Sequence, residues 1–215
     1  MNSSAVHYII GICLILLASQ LIIRLVRHYY KFPIPAFMVN LIDNPLRRRI
    51  QPPTKMPLRH GIDPGMTVLE IGPGNGTYSI ETARRIGNTG NLITLDIQVD
   101  VIKHVKSRAN TENVTTLDGL VADVHHLPFA ADAFNAIFMI AVIGEIPTPQ
   151  RAMQEFYRVL SPSGTLAFSE ILVDPDYPLQ KTLQKWAGQA GFCLKRKTGN
   201  FFSYSLKFSK VTTKQ

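Results

Sequence analysis

Glu70, Gly72, Gly74 and Gly76 fall at every second position in one stretch of the chain. Residues 67–71 are apolar apart from Thr67 and Glu70 and read as a buried strand; residues 77–86 read as a helix. Glycines at this spacing allow backbone angles and close approaches that a Cβ would block. A strand that breaks into such a turn before a helix brings a nucleotide-like ligand against bare backbone at a helix N-terminus. Asp96 lies 20 positions after Gly76 at the end of a second apolar stretch. An acid there can accept hydrogen bonds from both ribose hydroxyls, and Ile97 beside it can pack on a base. Further on, Glu145 follows a fourth apolar stretch and is the candidate substrate-facing group, with Tyr204 and His125 behind it. A general base is needed only if the substrate nucleophile keeps its proton at neutral pH.

The glycine spacing excludes one common reading. A dinucleotide fingerprint, G-x-G-x-x-G, needs a third glycine at position 77, which is Thr77. The stretch resembles instead the first motif of the class I S-adenosylmethionine-dependent methyltransferases, E/D-x-G-x-G-x-G, at Glu70, Gly72, Gly74 and Gly76. Residues 122–129, Ala-Asp-Val-His-His-Leu-Pro-Phe, resemble that family's A-D-x-x-x-L-P-F segment. Residues 151–164 resemble its R-x-L-K-P-G-G stretch, with Ser161 and Ser163 in place of Lys and Gly. Asn135 stands where the family more often has Asp.

The resemblance covers residues 61–170 well and the C-terminus loosely. It is closest to the methyltransferase type 11 and ubiquinone-menaquinone C-methyltransferase group, in a membrane-anchored variant. It implies S-adenosylmethionine as cofactor. The turn at Gly72, Pro73, Gly74 and Gly76 would approach its amino-acid portion, and Asp96 its ribose. Asp123 would hold the adenine amino group, with Val124 donating its backbone N–H to the ring. Ala141 and its neighbours would offer backbone contacts, and Glu145 would face the acceptor. The implied reaction is an in-line displacement at the methyl carbon, in which the protein supplies positioning and desolvation.

These residues need a scaffold that gathers strand ends. Strands are expected at 67–71, 91–95, within 114–122, and at 136–140, 165–170, 192–197 and 201–208. Helices are expected at 77–86, 99–109, 148–160 and 179–190, with Thr148 as a cap before Pro149 and a turn at 161–164. Alternating strands and helices give an α/β, doubly wound, mostly parallel sheet. By the resemblance it is a seven-stranded Rossmann-like methyltransferase sheet, ending in an edge hairpin whose last strand is antiparallel.

Charge is unevenly placed along the 215 residues. The net charge is +8, of which residues 1–60 carry +7, eight basic residues standing against Asp43 alone. A nucleic-acid enzyme would concentrate basic charge on its catalytic domain, so no nucleic-acid partner is expected. Residues 6–23 contain no Asp, Glu, Lys or Arg, and Arg24 and Arg27 follow them. At about 1.5 Å per residue they span roughly 27 Å, close to the hydrocarbon thickness of a bilayer. This predicts an uncleaved transmembrane helix in residues 1–30, with the rest of the chain facing the cytoplasm. Residues 31–60 form a basic, proline-rich juxtamembrane connector that meets anionic lipid headgroups or solvent, and residues 50–59 can close the cofactor pocket. The methyltransferase domain is residues 61–215. Cys13 and Cys193 read as unpaired thiols, and no Cys/His cluster has metal-ligand spacing.

The function expected is methyl transfer to a small or lipid-like acceptor at the membrane. The alternatives are a nicotinamide-dependent oxidoreductase and a membrane module that binds the cofactor without catalysis.

Overall fold

Seven strands form one sheet in the order β3-β2-β1-β4-β5-β7-β6. In this computed structural model residues 3–211 are described, apart from the side chains of Ser3, Cys13, Leu16, His28, Met38 and Leu41. The expectation for the Cys13 thiol therefore lies outside the described side chains, while Cys193 is free. The strands are β1 (Thr67–Ile71), β2 (Asn91–Asp96), β3 (Leu117–Val121), β4 (Phe134–Ile140), β5 (Leu160–Ile171), β6 (Phe192–Gly199) and β7 (Ser203–Lys210). β1 to β5 pair in parallel, and β7 runs antiparallel to both β5 and β6. The last strand is thus antiparallel, and the β6–β7 hairpin lies at the sheet edge as expected, with β7 between β5 and β6. β6 holds the edge, where Lys195, Arg196 and Lys197 are exposed and discourage pairing with another chain.

Helices cover both faces. β1 shows why: Leu69 and Ile71 belong to one core cluster and Val68 to the other, as strand side chains alternate faces. The first cluster takes in Phe156 from α7 (Pro149–Val159) and Leu183 from α8 (Gln180–Gln189). The second takes in Ile80 from α5 (Thr77–Ile86) and Val105 from α6 (Val99–Thr111).

Two local expectations fail. Residues 161–164 do not form a separate turn but lie within β5, which starts at Leu160. Leu160 pairs with Phe134, and the register shifts before Thr165 pairs with Ala136, so the extra residues are taken up as an irregularity in the strand. Thr148 precedes α7 in left-handed backbone, φ 46°, and its hydroxyl makes no capping bond. That hydroxyl instead lies 3.4 Å from His125 Nε2.

The N-terminal part begins with α1 (Ser3–Tyr29), followed by the short helices α2 (Val39–Ile42), α3 (Pro45–Ile50) and α4 (Met56–His60). In the connector, Asn44 caps α3 by accepting the Arg47 N–H, with Pro45 at the first helical position. Residues 51–60 are packed into the fold. Gln51 donates to the Glu170 carbonyl at 3.2 Å and accepts from the Tyr78 hydroxyl at 3.1 Å. Met56 is buried, and His60 Nε2 lies 2.7 Å from Ser169 Oγ.

Candidate active site

The carboxyl ends of β1, β2 and β4 converge on one cavity of about 280 Å³. Glu70, Gly72, Pro73, Gly74, Asp96, Ile97, Asp123, Val124, Ala141 and Glu145 all line it. Gly76 does not: it caps α5 at φ 80°, and a Cβ there would meet Val105 of α6 at 3.4 Å. Contact at that distance is ordinary, so its requirement for glycine is the left-handed backbone. Tyr204 is also absent from the cavity. It is buried in the core, where its hydroxyl donates to the Pro178 carbonyl at 2.6 Å.

The turn after β1 carries two left-handed glycines on the cavity wall, Gly72 at φ 66° and Gly74 at φ 58°. A Cβ on Gly72 would lie 2.5 Å from Val142 Cγ2, while one on Gly74 would meet nothing within 4 Å. Gly74 therefore faces open space, where a ligand can lie against backbone. Ala141 is left-handed as well, φ 56°, immediately after β4. A side chain in that region costs about 1–3 kcal/mol, and such strain clusters at ligand sites.

The acids differ sharply. Glu70 is buried at the cavity wall, and its Oε2 has no hydrogen-bond partner. Burial pushes its carboxyl up to about 8, against a smaller lowering by Ser79. Asp96 is also raised by burial, partly offset by the N–H groups of Gln98 and Ile97; its Oδ1 accepts from Gln98 at 2.8 Å. Asp123 is lowered, chiefly by the His125 N–H at 2.9 Å. His125 Nδ1 lies 2.7 Å from the same Asp123 oxygen and Nε2 faces the Pro147 carbonyl, so this ring braces the cavity rim. His126 points elsewhere, to Arg151 at 2.7 Å.

Glu145 occupies a position that sequence spacing alone did not show. Its Oε2 accepts the Ile34 N–H at 3.0 Å, and Arg27 Nη2 lies 3.8 Å away. Burial, with Asp174 nearby, pushes its carboxyl up to about 8 despite Arg27. It lines the cavity and clasps the N-terminal segment at once.

That segment does more than connect. The cavity is roofed by residues 31–47, among them Lys31, Ile34, Val39, Ile42, Asp43 and Arg47, rather than by residues 50–59. The roof is fastened at both ends. Near α1, Arg27 pairs with Asp176, and Lys31 Nζ lies 3.2 Å from the same carboxylate. At the other end Asp43 accepts from Arg48, from Asn75 Nδ2 at 2.8 Å and from the Thr77 hydroxyl, which ties the roof to the glycine turn. Burial alone would raise the Asp43 carboxyl, but Arg48, Thr77 and Asn75 outweigh it and hold it near 2. The sequence signal for this clasp was slight: Asp43 is the one acid among the first 60 residues.

A doubly wound sheet with a glycine turn, an acid at the end of its second strand and a buried acid at the end of its first defines a nucleoside-binding α/β protein. The chain belongs to the methyltransferase-domain family, whose model matches residues 62–206. It is 28% identical over 115 residues to an arsenite methyltransferase of Halobacterium salinarum, covering 54% of this chain and 29% of that protein. It is 29% identical over 119 residues to the ubiquinone/menaquinone biosynthesis C-methyltransferase UbiE of Citrobacter koseri, covering 54% and 47%. The chain thus spans about half or less of the curated relatives it matches. A solved S-adenosylmethionine-dependent methyltransferase from Aquifex aeolicus superposes with a TM-score of 0.77 at 20% identity, covering 83% of this chain and all of that one. That likeness shows the fold. These matches support the methyltransferase reading and not the nicotinamide alternative.

Family and fold imply S-adenosylmethionine as the cofactor, and the residues present fit it. The open space over Gly74 suits a ligand held by backbone. The unpartnered Glu70 oxygen suits an ammonium group, and the Asp96 carboxylate on the cavity wall suits a hydroxyl. When bound, the cofactor supplies an activated methyl group.

Proposed function

We propose that this protein transfers the methyl group of S-adenosylmethionine to a small, lipid-soluble acceptor at a membrane surface. One observation carries the reading: the cavity that gathers Glu70, Gly74, Asp96 and Asp123 is roofed by a segment that leads directly from α1. The most apolar 18-residue window within Ser4–Arg27 of α1 has a mean hydropathy of 2.5, and none of that window is buried against the protein. A helix of that length and composition with its side chains facing outward suits hydrocarbon. The roof contributes Pro33, Ile34, Val39 and Ile42, which favour an apolar acceptor.

In this reading Glu70 faces the cofactor ammonium, Gly72, Pro73 and Gly74 cradle its amino-acid end, and Asp96 takes the ribose. Ile97, Val124 and Asp123 hold the base, and the backbone at Ala141 flanks the reacting end. Glu145 is the polar group nearest the acceptor side. The roof excludes water from the methyl in flight, which strengthens every electrostatic contact inside. The catalytic domain lies on the cytoplasmic face, because Arg24, Arg27 and Lys31 follow the apolar stretch.

The test uses the full-length protein in lipid nanodiscs, titrated separately with S-adenosylmethionine and NADH. It is then incubated with radiolabelled cofactor and fractionated membrane lipids. Label in an extractable lipid fraction is the expected result. Binding of the cofactor with no transfer to any fraction would leave the non-catalytic module as the better reading, and binding of NADH alone would overturn both.

A further inference from the structure

The surface beside α1 carries a second apolar feature. Gln20 Nε2 donates to the Val173 carbonyl at 3.4 Å, and Arg24 Nη2 to the carbonyls of Leu172 and, at 3.1 Å, of Asp174. The Leu172 N–H in turn donates to the Phe202 carbonyl at 2.8 Å, and the Tyr177 hydroxyl to that of Phe201. The connection from β5 to α8 is therefore held against the last turns of α1, and the β6–β7 turn is tied to that connection.

At that place the protein presents hydrocarbon to the outside. Val173 is 68% exposed, Phe201 54% and Phe202 67%. Adjacent phenylalanines at a tight β-turn are unusual, since such turns are ordinarily polar. This turn is built: Asn200 Oδ1 accepts the N–H groups of Phe202 and Ser203 at 2.9 and 3.2 Å. Gln20 precedes Arg24 by one helical turn, about 6 Å along the axis. If α1 is embedded up to Ile23, Val173 and its neighbours reach the boundary between headgroups and acyl chains.

We propose that Val173, Phe201 and Phe202 are a second membrane contact, inserting into the interface of the same bilayer that holds α1. This rests on the membrane reading of α1 given above. One helix alone leaves a domain free to tilt, whereas a helix plus an interfacial patch fixes its orientation. A second cavity of about 340 Å³, lined by Arg24, Lys31, Tyr177, Leu179 and Trp186, lies at the same level and shares Lys31 and Ile146 with the main cavity.

The experiment places a single tryptophan reporter in the full chain, in a Trp186→Phe background, reconstituted into mixed phosphatidylcholine and phosphatidylglycerol vesicles. Phe202→Trp reports on the patch. Val211→Trp lies just past the far end of β7, about 30 Å away at about 3.3 Å per residue, and serves as reference. Acyl chains brominated midway along their length should quench the reporter at position 202 at least about twofold more than the reporter at position 211, as expected for a side chain at the acyl boundary. Equal quenching, with the protein still floating with the vesicles, would show the domain standing off the bilayer and overturn the proposal while the anchor stands. Failure to float would overturn the anchor and the proposal with it. Shielding at position 202 that disappears on diluting protein per vesicle would assign the patch to a second copy of this chain and overturn the bilayer contact.

Discussion

The Ile34 N–H donates to Glu145 Oε2 at 3.0 Å, so the candidate base and the roof over the cavity are joined by one hydrogen bond. The bond engages Oε2, so a proton taken up at Oε1 need not break it. Glu145→Gln keeps an oxygen for Ile34, so cofactor affinity and thermal stability should stay close to wild type. If the carboxylate takes the acceptor proton, turnover of the variant should fall at least about tenfold, and the wild-type rate should rise toward pH 8 as Glu145 ionises. Glu145→Ala should also speed proteolysis between residues 31 and 44. Wild-type kinetics in Glu145→Gln would leave Glu145 as a clasp alone.

Glu70 links cofactor binding to pH. Its folded carboxyl lies at about 8, above the ordinary 4.5, so the free protein holds a proton there at neutral pH. In the free protein this stabilisation is complete below about 4.5 and is lost as pH rises through 8. An ammonium group brought against the carboxyl favours its ionised form. Near pH 7, calorimetry in buffers of different ionisation heat should show release of about one proton on binding. Affinity should rise with pH and level off above about 8, and Glu70→Gln should flatten the slope.

Asp96→Ala should weaken S-adenosylmethionine binding by about 1–3 kcal/mol, the usual cost when a buried hydrogen-bond partner is removed. Unchanged affinity by calorimetry would remove Asp96 from the ribose.

His60 should make the protein acid-sensitive. Burial, with a smaller effect from Arg59, lowers its imidazole to about 3 from 6.5. A depressed histidine contributes stability that is complete above 6.5 and is lost as pH falls toward 3. Between pH 7 and 5 this amounts to about 2 kcal/mol, at about 1.4 kcal/mol per pH unit below 6.5. Denaturant titrations at the two pH values should show it, and His60→Gln should lose most of the difference.

Two truncations should behave differently. Removing residues 1–23 takes away the apolar helix but leaves Arg24 and Arg27. Removing residues 1–30 also strips Arg27 from the buried Asp176, leaving Lys31 as its one charged partner. The longer deletion should be less stable by about 3 kcal/mol, the scale on which breaking a buried ion pair is felt. Equal melting of the two would mean that the Arg27 contact is not maintained in solution.

The glycine turn, Asp96 and the order of the elements were legible in the sequence because each rests on local information. Gly72 and Gly74 need left-handed backbone next to a ligand-sized space, and the apolar periods of β1, β2 and β4 mark strands buried on both faces. Gly76 shows the limit of that reading: its spacing matched the motif, yet it caps α5 and does not line the cavity. Tyr204 and Glu145 show another limit. Whether a polar side chain faces a cavity, a core or a partner depends on residues far along the chain, here Pro178 and Ile34. The roof was invisible for the same reason. Residues 31–47 have the prolines and charges of a solvated linker. What makes them a cover is the pairing of Arg27 and Lys31 with Asp176 and of Asp43 with Asn75 and Thr77. The sequence alone determined which residues could bind and what chemistry they suit. Only the tertiary structure decided which of them meet, because ion pairs and hydrogen bonds between distant segments leave no periodic trace in the chain.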